Sequence, residues 1–278
     1  MTTVSTGSSR RRVLIGACAL SLTLTGALSA CGKKAAAPAV APGAPAAPVG
    51  TLEWAQTGPW RSPADRQRDA ALHPIETLRF FHVTPNATVV ELWPGSGWWT
   101  QILGPFLTAG KGRLYGATFE VPNPDDPAAG PVVNAYGRMV AEKADLYGAV
   151  TLTSFGPHSG DLSPPGSANL VLFFNLDNWM SAGLAEKAFH DAYAALKLGG
   201  VLGVVQARAD PGGEQDPLAV NGYVQEAFVK QMAAEAGFTF DTSSDINANP
   251  NDRKGAKHGL PFSQPIEPDR MTLRFVKR

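Results

Sequence analysis

Cysteine is nearly absent from this 278-residue chain: there are two, Cys18 and Cys31, and none follows. Any domain built from the later residues therefore has neither a disulfide nor a thiol for catalysis. An excess of charge of one sign is also missing, since 24 Lys and Arg balance 24 Asp and Glu. With no basic stripe or aromatic-basic interleaving after residue 50, the sequence argues against nucleic acid as a partner. The histidines, at 73, 82, 158, 190 and 258, never fall at ligand spacing, so no metal site is expected. No apolar run is long either. Val13 to Ala30 is uncharged, but it is short and rich in Ser, Thr and Gly, which suits a membrane span poorly.

That stretch follows Arg10-Arg11-Arg12 and reads as a signal peptide over residues 1–30. It ends in Leu28-Ser29-Ala30-Cys31, which resembles the lipobox of bacterial lipoproteins and implies lipidation of Cys31 as the membrane anchor. Ser9-Arg10-Arg11-Arg12-Val13-Leu14 also resembles a twin-arginine signal, the export route for folded proteins. Gly32 and Lys33 carry no Asp behind the acylated residue, which resembles outer-membrane sorting. The Ala- and Pro-rich residues 31–50 cannot bury a core and form a semi-rigid tether. The expected product is exported and lipid-anchored at the cell envelope, with its globular domain over residues 51–278.

Within that domain, strand and helix signals alternate. Ser62-Pro63-Ala64-Asp65 suits a helix start, and Pro74 restarts the helix after Leu72. Strand candidates are Thr88–Leu92, Gly112–Phe119, Tyr147–Phe155, Ala168–Asn175 and Val201–Ala207, with two more at 238–241 and 271–276. Helices are expected at about 98–107, 132–145, 182–196 and 223–236, with Leu198-Gly199-Gly200 as a helix stop. This order predicts an α/β fold, a Rossmann-like doubly wound sandwich.

Three stretches then carry a family likeness. Val89-Val90-Glu91-Leu92-Trp93-Pro94-Gly95-Ser96-Gly97 resembles the glycine-rich first motif of class I S-adenosylmethionine (SAM) dependent methyltransferases. Leu196-Lys197-Leu198-Gly199-Gly200-Val201-Leu202 is similar to the corner before their fifth strand, and Ala236-Gly237-Phe238 with Arg270–Phe275 to their last helix and terminal strands. The resemblance implies a seven-stranded, mostly parallel sheet with an antiparallel last strand, SAM as cofactor and a small-molecule or envelope substrate. More narrowly, segments such as "HPIETLRFF" and "DRMTLRFVK" resemble bacterial predicted methyltransferases that carry a lipoprotein signal.

SAM carries its own reactive methyl group, so such a protein chiefly positions donor and acceptor. The resemblance implies that Gly95 and Gly97 let the backbone approach the cofactor and that Glu91 lies beneath the turn, bonding the loop or the cofactor amine. Trp93 stands where the family has its first glycine. Thr118 fills the slot of the ribose-binding acid, with Glu120 two residues on, and Asp161-Leu162 matches the adenine-contacting stretch. Trp98 would favour a cationic sulfonium, or else pack as core. Asn175 and Asp177-Asn178-Trp179 follow the fourth strand where acceptors sit: Asp177 as proton acceptor, Asn178 orienting, Trp179 stacking on substrate, against a plain loop-and-cap role. Arg66 and His73 are lid or substrate candidates, Arg66 being placed to pair with Asp69 at i, i+3 spacing. A dinucleotide-dependent oxidoreductase fits less well, because its third glycine would fall at Thr100. A non-catalytic, ligand-binding lipoprotein with this fold is the other alternative.

Overall fold

The structure, a computed structural model, describes residues 46–121, 130–254 and 267–278. The expected signal peptide, Cys31, the expected tether as far as residue 45 and most of the loops at 121–131 and 255–266 lie outside the described residues. Among the described residues no helix is long and apolar enough to cross a membrane.

Four short helices lead: α1 (Leu52–Thr57), α2 (Pro63–Gln67), α3 (Asp69–Leu72) and α4 (Pro74–Phe80). The Ser62 hydroxyl caps α2 by accepting the Asp65 N–H at 3.0 Å. His73 takes a left-handed φ of 38° between α3 and α4, and Pro74 supplies the first turn of α4. There follow β1 (Thr88–Leu92), α5 (Thr100–Ala109), β2 (Arg113–Phe119), α6 (Gly130–Glu142), α7 (Ala144–Tyr147), β3 (Val150–Phe155) and β4 (Ala168–Phe174). The chain continues with α8 (Asp177–Ser181), α9 (Ala185–Ala195), β5 (Leu196–Ala207), α10 (Glu226–Glu235), β6 (Phe238–Ser244) and β7 (Arg270–Lys277).

The seven strands form one sheet in the order β3-β2-β1-β4-β5-β7-β6. The first five are parallel, and β7 lies antiparallel between β5 and β6, as the resemblance implied. In the central strand β4, alternate residues serve opposite faces. Leu170, Leu172 and Phe174 join the core that holds Trp99, Ile102 and Leu78, while Val171 and Phe173 join the one that holds Trp179, Phe189 and Leu202. Both faces are covered, so the strand reads as an unbroken apolar run.

Several boundaries differ from the sequence reading: the helices expected from 182 and 223 start at Ala185 and Glu226, the strand expected to end at 241 runs to Ser244, and three further departures have a visible cause or consequence. Tyr147 belongs to α7 rather than β3, because its ring packs against Gly104 of α5. Leu198-Gly199-Gly200 lies within β5: Ala168 pairs with Leu196 but Leu170 with Val201, and a bulge with Gly199 at φ 75° absorbs the extra residues. Residues 177–181, read as a loop, form α8.

Candidate functional site

At the carboxyl end of β1 the chain turns sharply. Trp93, Gly95 and Gly97 all take positive φ, at 51°, 59° and 82°. Glycine adopts this region freely, whereas a tryptophan does so only when its surroundings hold it there. Trp93 is held by its N–H on the Ala117 carbonyl at 2.8 Å and its indole N–H on the Phe155 carbonyl at 3.2 Å. Its ring meets Phe119 edge-on with centroids 4.2 Å apart.

The two glycines do different jobs. A Cβ built on Gly95 meets no atom of the described residues within 4 Å, so among them the turn is bare on that side. On Gly97 it would lie 2.5 Å from Met139 Cε and 3.1 Å from the Tyr136 ring, and on Gly116 of β2 it would lie 2.3 Å from the Tyr136 hydroxyl. Gly97 and Gly116 thus admit α6 to the sheet, while Gly95 leaves room for a ligand. The sequence reading missed Tyr136. Its signal was a glycine inside a strand, which marks close approach of another group.

Glu91, 1 % exposed, accepts from the Thr100 hydroxyl at 2.6 Å, and that hydroxyl lies 3.1 Å from the Tyr136 hydroxyl. The residue that denies this turn a third glycine therefore binds the buried acid to α5 and α6. Burial pushes the Glu91 carboxyl up to about 7 from 4.5, with the Thr100 bond pulling it down. Burial also raises the Tyr136 hydroxyl above its ordinary value. The folded state therefore keeps the Glu91 proton longer than the unfolded state does. The resulting stability loss is absent below pH 4.5, grows between 4.5 and about 7, and is complete above. Glu91→Gln, which cannot ionise, should match the parent below pH 4.5. It should exceed the parent at pH 8 by about 3 kcal/mol in urea unfolding. A constant difference across that range would refute the buried titration.

Trp93, Gly95, Thr118 and Phe119 line one hollow, closed by Val132 and Val133 of α6, with a volume of about 10 Å³. That is room for roughly one water. The Thr118 hydroxyl donates to the Thr153 carbonyl at 3.3 Å. The Glu120 carboxylate turns toward the end of β3 and accepts the His158 N–H at 2.7 Å. Asp161 is exposed. Leu162, read as an adenine contact, is instead core at 1 % exposure.

Beyond β4, Asn175 has φ 65° and is exposed. Asp177 opens α8, its N–H donating to Gln206 Oε1 at 3.3 Å, and Asn178 is exposed beside it. Trp179, expected to stack on substrate, is 0 % exposed. Its ring packs edge-on against Phe173 at 4.5 Å and Trp93 at 6.2 Å, so it supports Trp93 from below. Trp98 is core as well. Its indole donates to the Asp65 carbonyl, and the guanidinium groups of Arg61 and Arg68 lie 5.1 and 5.0 Å from its ring, which gives that ring two cations already.

The leading helices also depart from expectation. Asp69 pairs with Arg61, in two bonds of 2.8 and 2.7 Å, while Arg66 donates to the Gly58 carbonyl at 3.0 Å. His73 Nδ1 lies 3.4 Å from Asn247 Oδ1, and the Asn247 amide donates to Thr77 and Thr272 at 3.0 Å each. Asn247 thus ties α4 to β7, with His73 beside it. Among the described residues no cluster of His, Cys, Asp or Glu could hold a metal ion.

No family model and no curated protein matches this chain. Among solved structures, a SAM-dependent methyltransferase from Aquifex aeolicus is similar at 12% identity and a TM-score of 0.54, over 78% of this chain and 94% of that one. The [4+2]-cyclase SpnF is similar at 15% identity and a TM-score of 0.50, over 67% and 63%. At such identities the likeness shows the fold alone: this chain has the fold of the SAM-dependent methyltransferases, a scaffold that also carries a cyclase.

Proposed function

We propose that the protein is a SAM-dependent methyltransferase, exported and held at the cell envelope through Cys31. The observation that carries the catalytic part is Gly95: a bare, left-handed glycine at the carboxyl end of β1, where open α/β sheets bind their ligands. The turn around Gly95 would cradle the cofactor, with Trp93 and Phe119 as an apolar wall and Thr118 and Glu120 at the end of β2. The cofactor would supply an activated methyl group. The chain's own task would be to orient the acceptor and accept its proton, a role we assign to Asp177, at the start of α8 just beyond β4.

The hollow beside Gly95 is small, and Val132 and Val133 line it on the α6 side. Its smallness favours a second reading, a non-catalytic envelope lipoprotein that keeps the fold. Export favours it too, because SAM is made in the cytoplasm and a domain exported around one cofactor has one turnover. Calorimetric titration of the full chain, in detergent, with SAM and with NAD separates the readings. SAM should bind and NAD should not. Asp177→Ala should leave SAM affinity unchanged and lower methyl transfer at least a hundredfold. Absence of SAM binding at millimolar concentration would eliminate the methyltransferase reading.

A further inference from the structure

At the amino ends of the parallel strands one row of contacts crosses the sheet. Arg113, first in β2, pairs with Thr88 of β1. The Thr88 N–H donates to Asn169 Oδ1 of β4 at 3.0 Å. Ala168 pairs with Leu196 of β5, whose carbonyl accepts from Lys277 of β7 at 2.7 Å. Along this row Lys111, Arg113, Lys197 and Arg278 are all exposed. None of the four makes an ion pair among the described residues. Glu142, Asp145 and Glu235 share this end with Lys143 and Lys277, which leaves it positive.

Apolar side chains stand among these cations. Leu198, beside Lys197, is 75% exposed where the β5 bulge turns it out, and Val49 is 76% exposed. The described chain also enters the domain here. A Cβ on Gly50 would lie 3.3 Å from that of Ala109, the last residue of α5, just before Lys111. The opposite end of the sheet has the reverse sign. There the segment 208–225, from β5 to α10, presents exposed Asp210, Glu214 and Asp216 and no exposed Lys or Arg. Cations with leucine and valine between them suit a surface that is anionic outside and apolar just beneath, and carboxylates are repelled from it.

We propose that this end of the domain lies against anionic phospholipid headgroups, so that the turn around Gly95 opens away from the bilayer, toward a water-soluble acceptor. The orientation rests on the anchor at Cys31, and the class of acceptor on the methyltransferase reading. Thr118 stands five residues beyond Arg113 along β2, about 17 Å further from the headgroups, out of their reach. The full chain is bound to preformed vesicles of phosphatidylcholine, with and without phosphatidylglycerol, and its lysines are acylated by a membrane-impermeant reagent and read by mass spectrometry. Phosphatidylglycerol should lower labelling of Lys111 and Lys197 at least fivefold and leave Lys230, on α10, unchanged, and high salt should reverse the fall. Arg113→Glu, at an exposed position, should restore labelling of both lysines at least twofold. Equal labelling on the two lipids overturns the proposal. So does protection of Lys230 instead, a fall that appears without vesicles as protein concentration rises, which marks a second copy on this face, or methyl label from SAM recovered in phospholipid. A chain that does not float with phosphatidylcholine vesicles lacks the anchor and overturns the reading beneath; the same salt-sensitive protection on phosphatidylglycerol would then keep the face.

Discussion

On the methyltransferase reading, Gly95→Leu should abolish SAM binding, with at least a hundredfold loss of affinity in calorimetry, while the chain stays folded. Among the described residues nothing lies within 4 Å of the new Cβ, so the leucine fills the bare side of the turn where the cofactor is proposed to lie. Its cost to folding is the left-handed φ of 59°, worth about 1–2 kcal/mol for a residue with a side chain. Gly97→Leu, two residues on, behaves differently. Its Cβ lies 2.5 Å from Met139 Cε and 3.1 Å from the Tyr136 ring, so the methionine end must swing aside and the ring must give, and overpacking adds about 1–3 kcal/mol to a similar backbone strain. Thermal unfolding separates the two, with Gly97→Leu well below Gly95→Leu. Unchanged SAM affinity in a folded Gly95→Leu would put the cofactor elsewhere.

Asp69→Ala should cost about 3–5 kcal/mol of stability, because it leaves a buried guanidinium without its counter-charge. Arg61 is 1 % exposed. Besides Asp69 it has the Gln56 carbonyl at 2.8 Å, and its Nε has no hydrogen-bond partner among the described residues. The effect should be largely reversed by Arg61→Met in the same chain, since an apolar pair replaces a desolvated one with little net change. Urea unfolding of the two single variants and the double one measures this. A loss under about 1 kcal/mol for Asp69→Ala would mean that the guanidinium finds water once its partner is gone.

The sheet was legible in the sequence wherever burial is simple. β1 and β4 appear as short apolar runs because neighbours cover both faces, and the break at His73-Pro74 appears because proline has one comfortable place near a helix start. Long-range choices were not legible. Nothing in the spacing of Arg61, Arg66 and Asp69 tells which arginine faces inward, since that depends on Trp98, more than thirty residues away. Trp179 has polar neighbours in sequence, Asp177 and Asn178, and only the fold shows that its ring turns under Trp93. Within the candidate site the glycines were readable as glycines. Their division of labour was not, because it is set by α6, which packs Tyr136 against Gly97 and Gly116.

The place of β7 bears on how the chain is made. β6 joins the sheet only through β7, and β5 has β7 as its neighbour on that side. During synthesis, then, the ribosome delivers five parallel strands and a stranded hairpin partner well before Arg270–Lys277 emerges. Until that moment β5 presents an open edge, ready to pair with another unfinished chain. Whatever step needs the finished sheet must wait for β7, and the β5 edge is most open to mispairing in that interval.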